Sequence, residues 1–497
     1  MKKNLKSLLY CCLFFSHHFT YSQDLTALVL DSLNKHPIPF ASIYLKSGSG
    51  VISNEEGQFR LQYKQNVSDD SLFISCLGYK TLKYSVEQLQ DSIFYLPPKA
   101  ITLNSVILTN KELNADEILK AIQKNISEKY ELGLTQKKIF LRESGTEEFK
   151  KLNVKIKKTT IDEFNQRFWD STLSKFPRKN KWFEEAAGLL LGDYSEKNQK
   201  LELYKALELE DKKTAAIFEN TEALFDTILK ENIKTTSYFK VRSGLIGGKV
   251  ESSVFETDPS DSLPEVEKAW SRKKDYLTQK KRQITNLIKT LFKEGSLNLT
   301  VLNKASRYNF KVVDMTFFGT IPVYVLDFNP KGNADYKGRL FIDADHLTLM
   351  RLEYKNIQNI RDFNLLGVSF KQDLKEVVLQ FKKTINGKYG LEYFEYSTAF
   401  EGGFDRPLVI TEKNKIVKGR KKQNQLKMDL DVVTKQYQKI QLVVFETLPI
   451  NQAYFNDFKE TPKVLPENLT QYDPSFWKGY SIIEPNKAIR SYKLKKN

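Results

Sequence analysis

Apolar and polar residues alternate with a period of two from Leu297 to about Leu448, and this pattern constrains the fold more than any other feature of the 497-residue chain. Turn sequences separate most of the alternating segments, and Asn386-Gly387 is a strong signal for a two-residue hairpin. Consecutive strands joined by tight turns indicate an antiparallel meander and not a parallel α/β sheet. The predicted strands are Tyr308–Asp314, Pro322–Asn329, Tyr336–Asp343, Thr348–Lys355, Leu374–Thr384, Tyr389–Ala399, Leu408–Val417 and Lys427–Tyr437.

Residues 25–109 contain shorter alternating runs broken by turn residues, a pattern typical of a β-sandwich. Glu55-Glu56-Gly57 is predicted to be a turn, because glycine readily adopts a positive φ. The predicted strands are Leu25–Leu30, Ala41–Leu45, Gly57–Tyr63, Ser71–Ser75, Lys80–Tyr84, Ile93–Leu96 and Val106–Leu108.

The same segment carries four motifs in a characteristic order: Pro37-Ile-Pro39-Phe-Ala41-Ser42-Ile-Tyr44, Ser53-Asn54-Glu55-Glu56-Gly57-Gln58-Phe59, Ser75-Cys76-Leu77-Gly78-Tyr79 and Leu103-Asn104-Ser105-Val106. Together they resemble the carboxypeptidase D regulatory-like domain, a transthyretin-like sandwich common in exported proteins of Bacteroidetes. Asn54 stands where this family usually has Asp, and Asn also suits the turn. The resemblance implies the fold and an exported compartment. It implies no catalytic residues, because the module is regarded as an accessory domain.

Residues 111–296 are predicted to be mainly helical with a few strands. Apolar residues recur every four positions from Ile118 to Tyr130, which predicts one helix. Lys138–Arg142 and Val154–Ile156 are predicted to be strands on either side of a polar turn. The other predicted helical segments are Ile161–Phe168, Lys181–Leu191, Leu201–Glu208 and Glu222–Lys230.

Leu263–Gly295 is the most regular predicted helix, with Pro264 in its first turn. Its basic face, which includes Lys280, is predicted to contact water. The apolar stripe is predicted to pack on the core or to line a groove, and the alternative is a helix that lies on an anionic membrane. The stripe recurs every seven residues and consists of Trp270, Leu277, Ile284 and Leu291.

The meander resembles the lipoprotein-localisation family, in which a strongly curved antiparallel sheet wraps around helices. This resemblance covers at most Leu113–Leu448, and the helical region from 159 to 295 departs from the compact family form. The fold class predicted for the chain is α+β and multidomain: a small N-terminal β-sandwich, then a curved antiparallel sheet packed on helices. The carrying residues are Gly319-Thr-Ile-Pro-Val323-Tyr-Val-Leu326, Asn329-Pro330, Tyr336-Lys-Gly338-Arg-Leu-Phe-Ile342-Asp343 and Leu349-x-Arg-Leu-x-Tyr354.

Residues 1–22 have the features of a secretory signal peptide: three early lysines, the apolar run Leu8–Phe15, and small residues Thr20 and Ser22 before the expected cleavage point. Lipidation at Cys11 or Cys12 is the alternative. We therefore expect an exported protein of the periplasm or outer membrane. The predicted organisation is a signal peptide (1–22), a sandwich (23–110), a mainly helical region (111–296) that forms one domain with the meander (297–450), and a C-terminal tail (451–497).

Histidine and cysteine are scarce, since the sequence after residue 22 contains only His36, His346 and Cys76. An intrachain disulfide and a His/Cys zinc site are therefore excluded, and a Ser-His-Asp or Cys-His site would depend on one isolated histidine. Asp343 and Asp345 lack the glycine and the bidentate glutamate of a calcium loop, and they are predicted to form a hairpin turn. We expect no catalytic residue, no cofactor and no metal site.

The net charge of +17 comes from basic residues that are interleaved with acids, which favours a solvated surface. We expect no nucleic-acid partner, because export removes it from reach, and no transmembrane helix. The expected function is a non-catalytic cell-envelope binding or scaffold module with an unknown protein, lipid or glycan partner, and peripheral association with the outer membrane is an open possibility. The alternatives are a carrier or sensor of lipid or lipidated protein, and a hydrolase that uses a pair of carboxylates.

Overall fold

The computed structural model describes residues 22–48, 50–64, 70–86, 89, 92–99, 113–195, 197–234, 236–244, 246–251, 264–293, 296–414, 416–418 and 421–494. The predicted signal peptide lies outside these residues except for Ser22, and so do the predicted strand Val106–Leu108 and the motif Leu103–Val106. The chain divides into two compact units.

Unit 1 comprises the described residues within the ranges 1–106, 316–322 and 474–486. Its described strands form a three-stranded sheet in the order β4-β1-β7 and a four-stranded sheet in the order β3-β2-β5-β6. Side chains such as Val29, Ile43, Phe59 and Phe94 are fully buried and form its core. The strands are β1 (Ser22–Asp31), β2 (Ser42–Leu45), β3 (Gly50–Ile52), β4 (Gln58–Lys64), β5 (Ser71–Ser75), β6 (Leu82–Ser85) and β7 (Ile93–Leu96).

The predicted turn at Glu55–Gly57 is confirmed. Gly57 has a φ of +74°, and a Cβ atom there would lie 2.5 Å from the Val29 carbonyl oxygen. The buried Asn54 side chain organises the turn, because its Oδ1 accepts hydrogen bonds from the backbone N–H groups of Glu56 and Gln58. Of the predicted strands, the first six are found near their expected positions, and β3 was missed.

The segment Pro474–Asn486 is part of unit 1 although it follows β4 by about 400 residues. The Arg60 guanidinium lies 3.1 Å from Glu484 Oε1, and Asn54 Nδ2 donates to the Pro485 carbonyl at 3.2 Å. Trp477 is fully buried. The segment is therefore an integral part of the unit.

Unit 2 comprises the described residues within the ranges 107–315, 323–473 and 487–497. Among the described residues, 14 strands form one large curved sheet, whose main path is β15-β16-β17-β18-β20-β21-β22-β8-β9-β10-β23. The strands are β8 (Thr135–Thr159), β9 (Lys179–Gly192), β10 (Gln199–Leu209), β11 (Ser237–Ser243), β12 (Ile246–Glu251), β15 (Tyr308–Phe318), β16 (Ile321–Pro330), β17 (Tyr336–Asp343), β18 (Thr348–Asn356), β19 (Arg361–Leu365), β20 (Val368–Lys383), β21 (Tyr389–Asn414), β22 (Lys422–Pro449) and β23 (Glu467–Asn468), and a separate pair is β13 (Phe292–Lys293) with β14 (Ser296–Leu297).

The described helices are short except for two. They are α1 (Ala115–Lys129), α2 (Gln166–Lys175), α3 (Lys212–Asn232), α4 (Glu265–Leu291), α5 (Thr300–Asn303), α6 (Gln452–Asp457) and α7 (Lys487–Arg490), with 3-10 turns at Asp162–Phe164 and Ala305–Arg307. Among the described helices, none combines the length and the apolar composition that a membrane span requires.

The antiparallel meander is confirmed from β15 to β22, with the tight turns at Gly319, Gly332 and Gly387 in place. β21 is longer than predicted because it joins two predicted strands through Glu401-Gly402-Gly403. That sequence lies between the predicted strands Tyr389–Ala399 and Leu408–Val417, and it is paired with β20 and β22 on its two sides. The hairpin strand β19 was missed.

The α+β description is only partly supported, since strands make up 52% of the structure and the fold is mostly β. Lys181–Leu191 and Leu201–Glu208 were predicted to be helices and are the strands β9 and β10. The second half of β9 is buried on both faces and lacks the period-two signal, which explains the error there, whereas β10 does alternate. The predicted turn inside Lys138–Ile156 is absent as well, because β8 runs through it as one 25-residue strand.

Candidate functional site

α4 packs with its C-terminal half against the sheet of unit 2. Leu277, Ile284 and Leu291 of the predicted stripe are buried, as are Tyr276, Leu287 and Ile288. Trp270, the fourth residue of that stripe, is 54% exposed and does not belong to the buried face. The helix begins after Pro264. The two acidic residues in its first turn are stabilised by the positive, N-terminal end of the helix dipole.

Lys280 was predicted to contact water and is instead buried between α4 and the sheet. Its ammonium lies 2.5 Å from Glu143 Oε1 on β8 and 2.7 Å from Glu184 Oε2 on β9. The two glutamates are direct cross-strand partners, so both carboxylates project from the same face of the sheet. The error arose because the helical period does not reveal which acidic side chains lie opposite.

The remaining carboxylate oxygens of this triad also accept hydrogen bonds. The Tyr276 hydroxyl donates to Glu184 Oε1 at 2.7 Å, and Gln438 Nε2 donates to Glu143 Oε2 at 3.3 Å. Burial raises the pKa of Glu184, and the adjacent Lys280 ammonium acts in the opposite direction. Burial and the neighbouring Glu184 also raise the pKa of Tyr276, which keeps its phenol protonated as a donor.

A cleft of about 500 Å³ lies beside this triad. Most of its lining residues carry a polar group, and they come from α4 and from strands β8, β9, β21 and β22. The lining residues are Glu143, Glu184, Gln279, Lys280, Arg282, Gln283, Asn286, Leu287, Thr290, Tyr396, Gln438 and Ile440. The sequence does contain a signal for this site, because Glu143 follows Ile139 and Leu141 at period two and therefore occupies an inward position.

The face of the sheet that α4 covers carries further apolar side chains beyond the cleft, although the strand neighbours of Phe400 on this face are the polar residues Gln372 and Gln436. Tyr396 lines the cleft, and Phe400 and Phe404 lie four and eight residues further along the same unbulged stretch of β21, on the same face. They extend this surface by about 13 and 26 Å. We call the half-buried apolar residues of this region the open apolar face: Phe149, Leu152, Phe370, Phe400, Phe404, Leu430 and Val432.

The opposite face of the same strands is charged. Cross-strand ion pairs join Lys150 to Glu401, Lys151 to Asp431, Lys157 to Asp429, Lys435 to Asp373 and Lys439 to Glu395. On β8 this produces a strict alternation, in which Leu152, Val154 and Ile156 face one way and exposed polar residues face the other. We call the part of the sheet beyond the cleft the distal sheet. It is therefore amphipathic, with ion pairs on one face and half-buried apolar side chains on the other.

Among the described residues, helices pack at the two ends of the open apolar face. At the far end, Phe164 and Ile228 form a cluster that packs against Leu426 of β22. At the near end, α4 covers the sheet up to the cleft. The residues between these ends keep part of their apolar surface exposed, which is unusual for a strand that a second layer should cover.

The other residues that the sequence singled out lie outside this cleft. Asp343 is fully buried, and its carboxylate accepts hydrogen bonds from the backbone N–H groups of Asp345 and His346 and from the Tyr389 hydroxyl at 2.5 Å. This is the predicted hairpin turn. His36 is exposed in a loop, and Cys76 is half-buried. Within the described ranges, no group of three or more His, Cys, Asp or Glu side chains is arranged to hold a metal ion.

Comparisons with solved structures give weak matches. The Pseudomonas aeruginosa MucA/MucB complex matches at 8% identity over 64% of this chain and 92% of that chain, with a TM-score of 0.17. A protein of unknown function from Bacteroides fragilis, described as membrane-associated, matches at 9% identity over 86% and 99% of the two chains, with a TM-score of 0.13. TM-scores this low do not establish a shared fold.

No curated protein matches the sequence. One family model matches, the CarboxypepD_reg-like domain, over residues 28–108. This range covers the two small sheets of unit 1 except for the start of β1, and the match agrees with the resemblance of its motifs. The N-terminal region of this chain is therefore a carboxypeptidase D regulatory-like domain.

Proposed function

We propose that this protein is a non-catalytic binding module of the cell envelope that holds an apolar group on the open apolar face. The observation that carries this proposal is the contrast between the two faces of the distal sheet. One face satisfies its charges by cross-strand ion pairs, whereas the other leaves Phe400, Phe404 and Val432 half-buried. Apolar surface of this kind gains free energy when a ligand covers it, by about 25 cal/mol per Å².

The ligand class that fits is an extended apolar chain, such as the acyl chain of a lipid or of a lipidated protein. A long chain fits this surface better than a compact ring system does, because the apolar residues follow the strands. The cleft at one end of the face offers hydrogen-bonding groups, such as those of Gln283 and Asn286, for the polar end of such an amphiphile.

Val432 and Val433 provide a matched test. They are neighbours on β22 and are both half-buried, but they project from opposite faces. We expect Val432→Ser to weaken binding of a fluorescent fatty acid several-fold, and Val433→Ser to leave it unchanged. Equal binding by all three proteins would contradict the proposal. Lipid extraction and mass spectrometry of protein purified from its own envelope would then identify the natural ligand.

Export is part of this proposal, and it rests on residues 1–22 and on the N-terminal domain family. We expect the mature protein to begin at Gln23. Mass spectrometry of the protein from a fractionated envelope checks this, and a mature form that retains Met1 or carries a lipid on Cys11 or Cys12 would contradict it.

A hydrolase that uses two carboxylates is the second candidate, because Glu143 and Glu184 face one another beside a cleft. The Lys280 ammonium contacts one oxygen of each carboxylate, so these two oxygens lie close together. Each of the four carboxylate oxygens, however, already accepts a hydrogen bond or an ion pair from this chain. An acid/base pair needs an oxygen that faces the substrate, so the geometry favours binding. Turnover of chromogenic glycosides that disappears in Glu184→Gln would reverse this preference.

A further inference from the structure

The hairpin of β19 and β20 ends in an apolar tip. Phe363, Leu365 and Leu366 are 51%, 67% and 69% exposed. From Phe363 to Phe370 the chain contains no charged residue. β19 pairs only with β20, so this tip lies at an edge of the described sheet. Three large apolar side chains are thus presented together.

The turn at the tip gives a second, independent indication. Leu366 and Gly367 both have positive φ, +51° and +75°, which defines the two-residue turn of a tight hairpin. Asn, Asp and Gly suit the first of these positions, whereas an apolar L-residue is disfavoured there. Leu366 therefore serves neither the turn, where its backbone is strained, nor the core, from which it projects. Strain retained at an exposed position points to a function of the side chain.

A row of aromatic rings supports the hairpin from behind. Phe363 stacks on Phe370 at 6.1 Å between ring centroids, and Phe370 stacks on Phe400 at 5.9 Å. The rings within each pair are nearly parallel, at 25° and 26°. These contacts connect the tip to the long strand β21, so its apolar residues are held in a defined direction.

The charges at the base of the hairpin match an anionic surface. The basic residues nearest to the uncharged stretch are Arg361 on β19 and Lys371 on β20, and both are exposed. Lys371 has the acidic residues Asp362 and Glu401 as its direct cross-strand partners. The Asp362 carboxylate accepts a hydrogen bond from Asn359 Nδ2 at 2.8 Å, and the Glu401 carboxylate is paired with Lys150. An apolar tip with basic residues at its base is the arrangement that inserts below lipid headgroups while its cations contact phosphates.

We propose that the β19–β20 tip inserts into the interfacial layer of a membrane that contains anionic lipid and thereby docks the protein peripherally. This inference goes beyond the proposed function, because the docking residues Leu365 and Leu366 are not part of the open apolar face. A protein with an empty apolar face still docks by this tip.

The test uses the full chain and flotation with vesicles of phosphatidylethanolamine and phosphatidylglycerol. Leu366→Asn is the decisive variant, because Asn suits the positive φ and should leave the melting temperature equal or higher. We expect its partition to the vesicles to fall by about tenfold, as loss of one inserted leucine side chain predicts. Ile385→Asn is the matched control, since Ile385 is 76% exposed in another hairpin turn. It should float like the parent.

A charge variant separates the electrostatic contribution to vesicle binding from the apolar contribution. Arg361→Gln with Lys371→Gln should weaken flotation on the anionic vesicles and not on phosphatidylcholine, because only the electrostatic part is removed. Equal flotation of Leu366→Asn and the parent, or no flotation of the parent, would overturn the proposal. A parent that is dimeric and ignores vesicles, with a monomeric Leu366→Asn variant, would assign the tip to an interface between two copies instead and would also overturn it.

Discussion

The Lys280 ammonium lies 2.5 Å from Glu143 Oε1, and both side chains are buried although one belongs to the basic face of a helix and the other to the interior of a sheet. Glu184 completes the triad at 2.7 Å from the same ammonium. Two carboxylates share one cation, so the ionised triad carries a net negative charge. The contacts hold α4 against β8 and β9.

Removal of Lys280 should destabilise unit 2 strongly. Lys280→Ala leaves the buried Glu143 and the half-buried Glu184 without a cation, and breaking a buried ion pair in this way costs about 3–5 kcal/mol. Lys281→Ala is the control, because Lys281 pairs with Glu460 and both side chains are about one-third exposed. That pair contributes at most about 1 kcal/mol. Urea denaturation of both variants measures the difference, and equal stabilities would contradict a structural role for the triad.

Glu184 should make the stability depend on pH in the acidic range. Burial raises its pKa above the ordinary value of 4.5, so the folded state retains the proton to higher pH than the unfolded state. The stabilisation from this group is therefore full below pH 4.5 and is lost as the pH rises through the raised pKa. Denaturation of the parent and Glu184→Gln at several pH values checks this. The stability of the parent relative to the variant should fall as the pH rises, and an increase would show that the pKa is lowered instead.

Lys137 should produce the opposite trend in the alkaline range. Its side chain is fully buried over the Tyr194 ring and donates to the Gly192 carbonyl, and burial lowers its pKa to about 8. In the unfolded chain the pKa is about 10.4, so stability should rise between these values, by roughly 3 kcal/mol at most. Lys137→Met removes this rise. The exposed Lys151→Met is the control, and the same alkaline profile in all three proteins would contradict the prediction.

The parts of the fold that the sequence predicted correctly are those where one face of a strand contacts water. The strands of unit 1 and the meander show this alternation, and turn residues such as Gly57 and Gly387 mark their ends. Charged residues inside long strands misled the prediction. Glu148 and Lys150 resemble a turn in β8, but they pair with Lys179 and Glu401 across the sheet. Such partners are distant in sequence and cannot be read from a local pattern.

The candidate site was missed for a related reason. A helical period separates an apolar stripe from a basic face, but it does not show that Lys280 lies over two glutamates from other strands. It likewise does not show where the helix extends beyond the sheet, which is why Trp270 fits the stripe and is exposed. The open apolar face was missed because it follows β21 without interruption, whereas the sequence pattern predicted two separate strands on either side of Glu401–Gly403.

The C-terminal segment should stabilise unit 1. Trp477 is fully buried there, so Trp477→Ala should cost about 3–5 kcal/mol. Hydrogen exchange of the β1 and β4 amides reports the loss in this unit. Lys478→Ala, at an exposed neighbouring position, should change stability by less than about 0.5 kcal/mol. Unchanged protection in Trp477→Ala would mean that the segment does not support the sandwich.

The two ends of the predicted α4 stripe should contribute unequally to the free energy of unfolding. Ile284 is 1% exposed, so Ile284→Ala should cost about 2–5 kcal/mol through lost burial and the cavity that remains. Trp270→Ala removes a larger side chain but should cost far less, because half of that surface already contacts water. Equilibrium denaturation of the two variants ranks them. If the helix were held on a membrane instead of on the sheet, Ile284→Ala would unfold like the parent in solution, and Trp270→Ala would be the variant that loses vesicle binding.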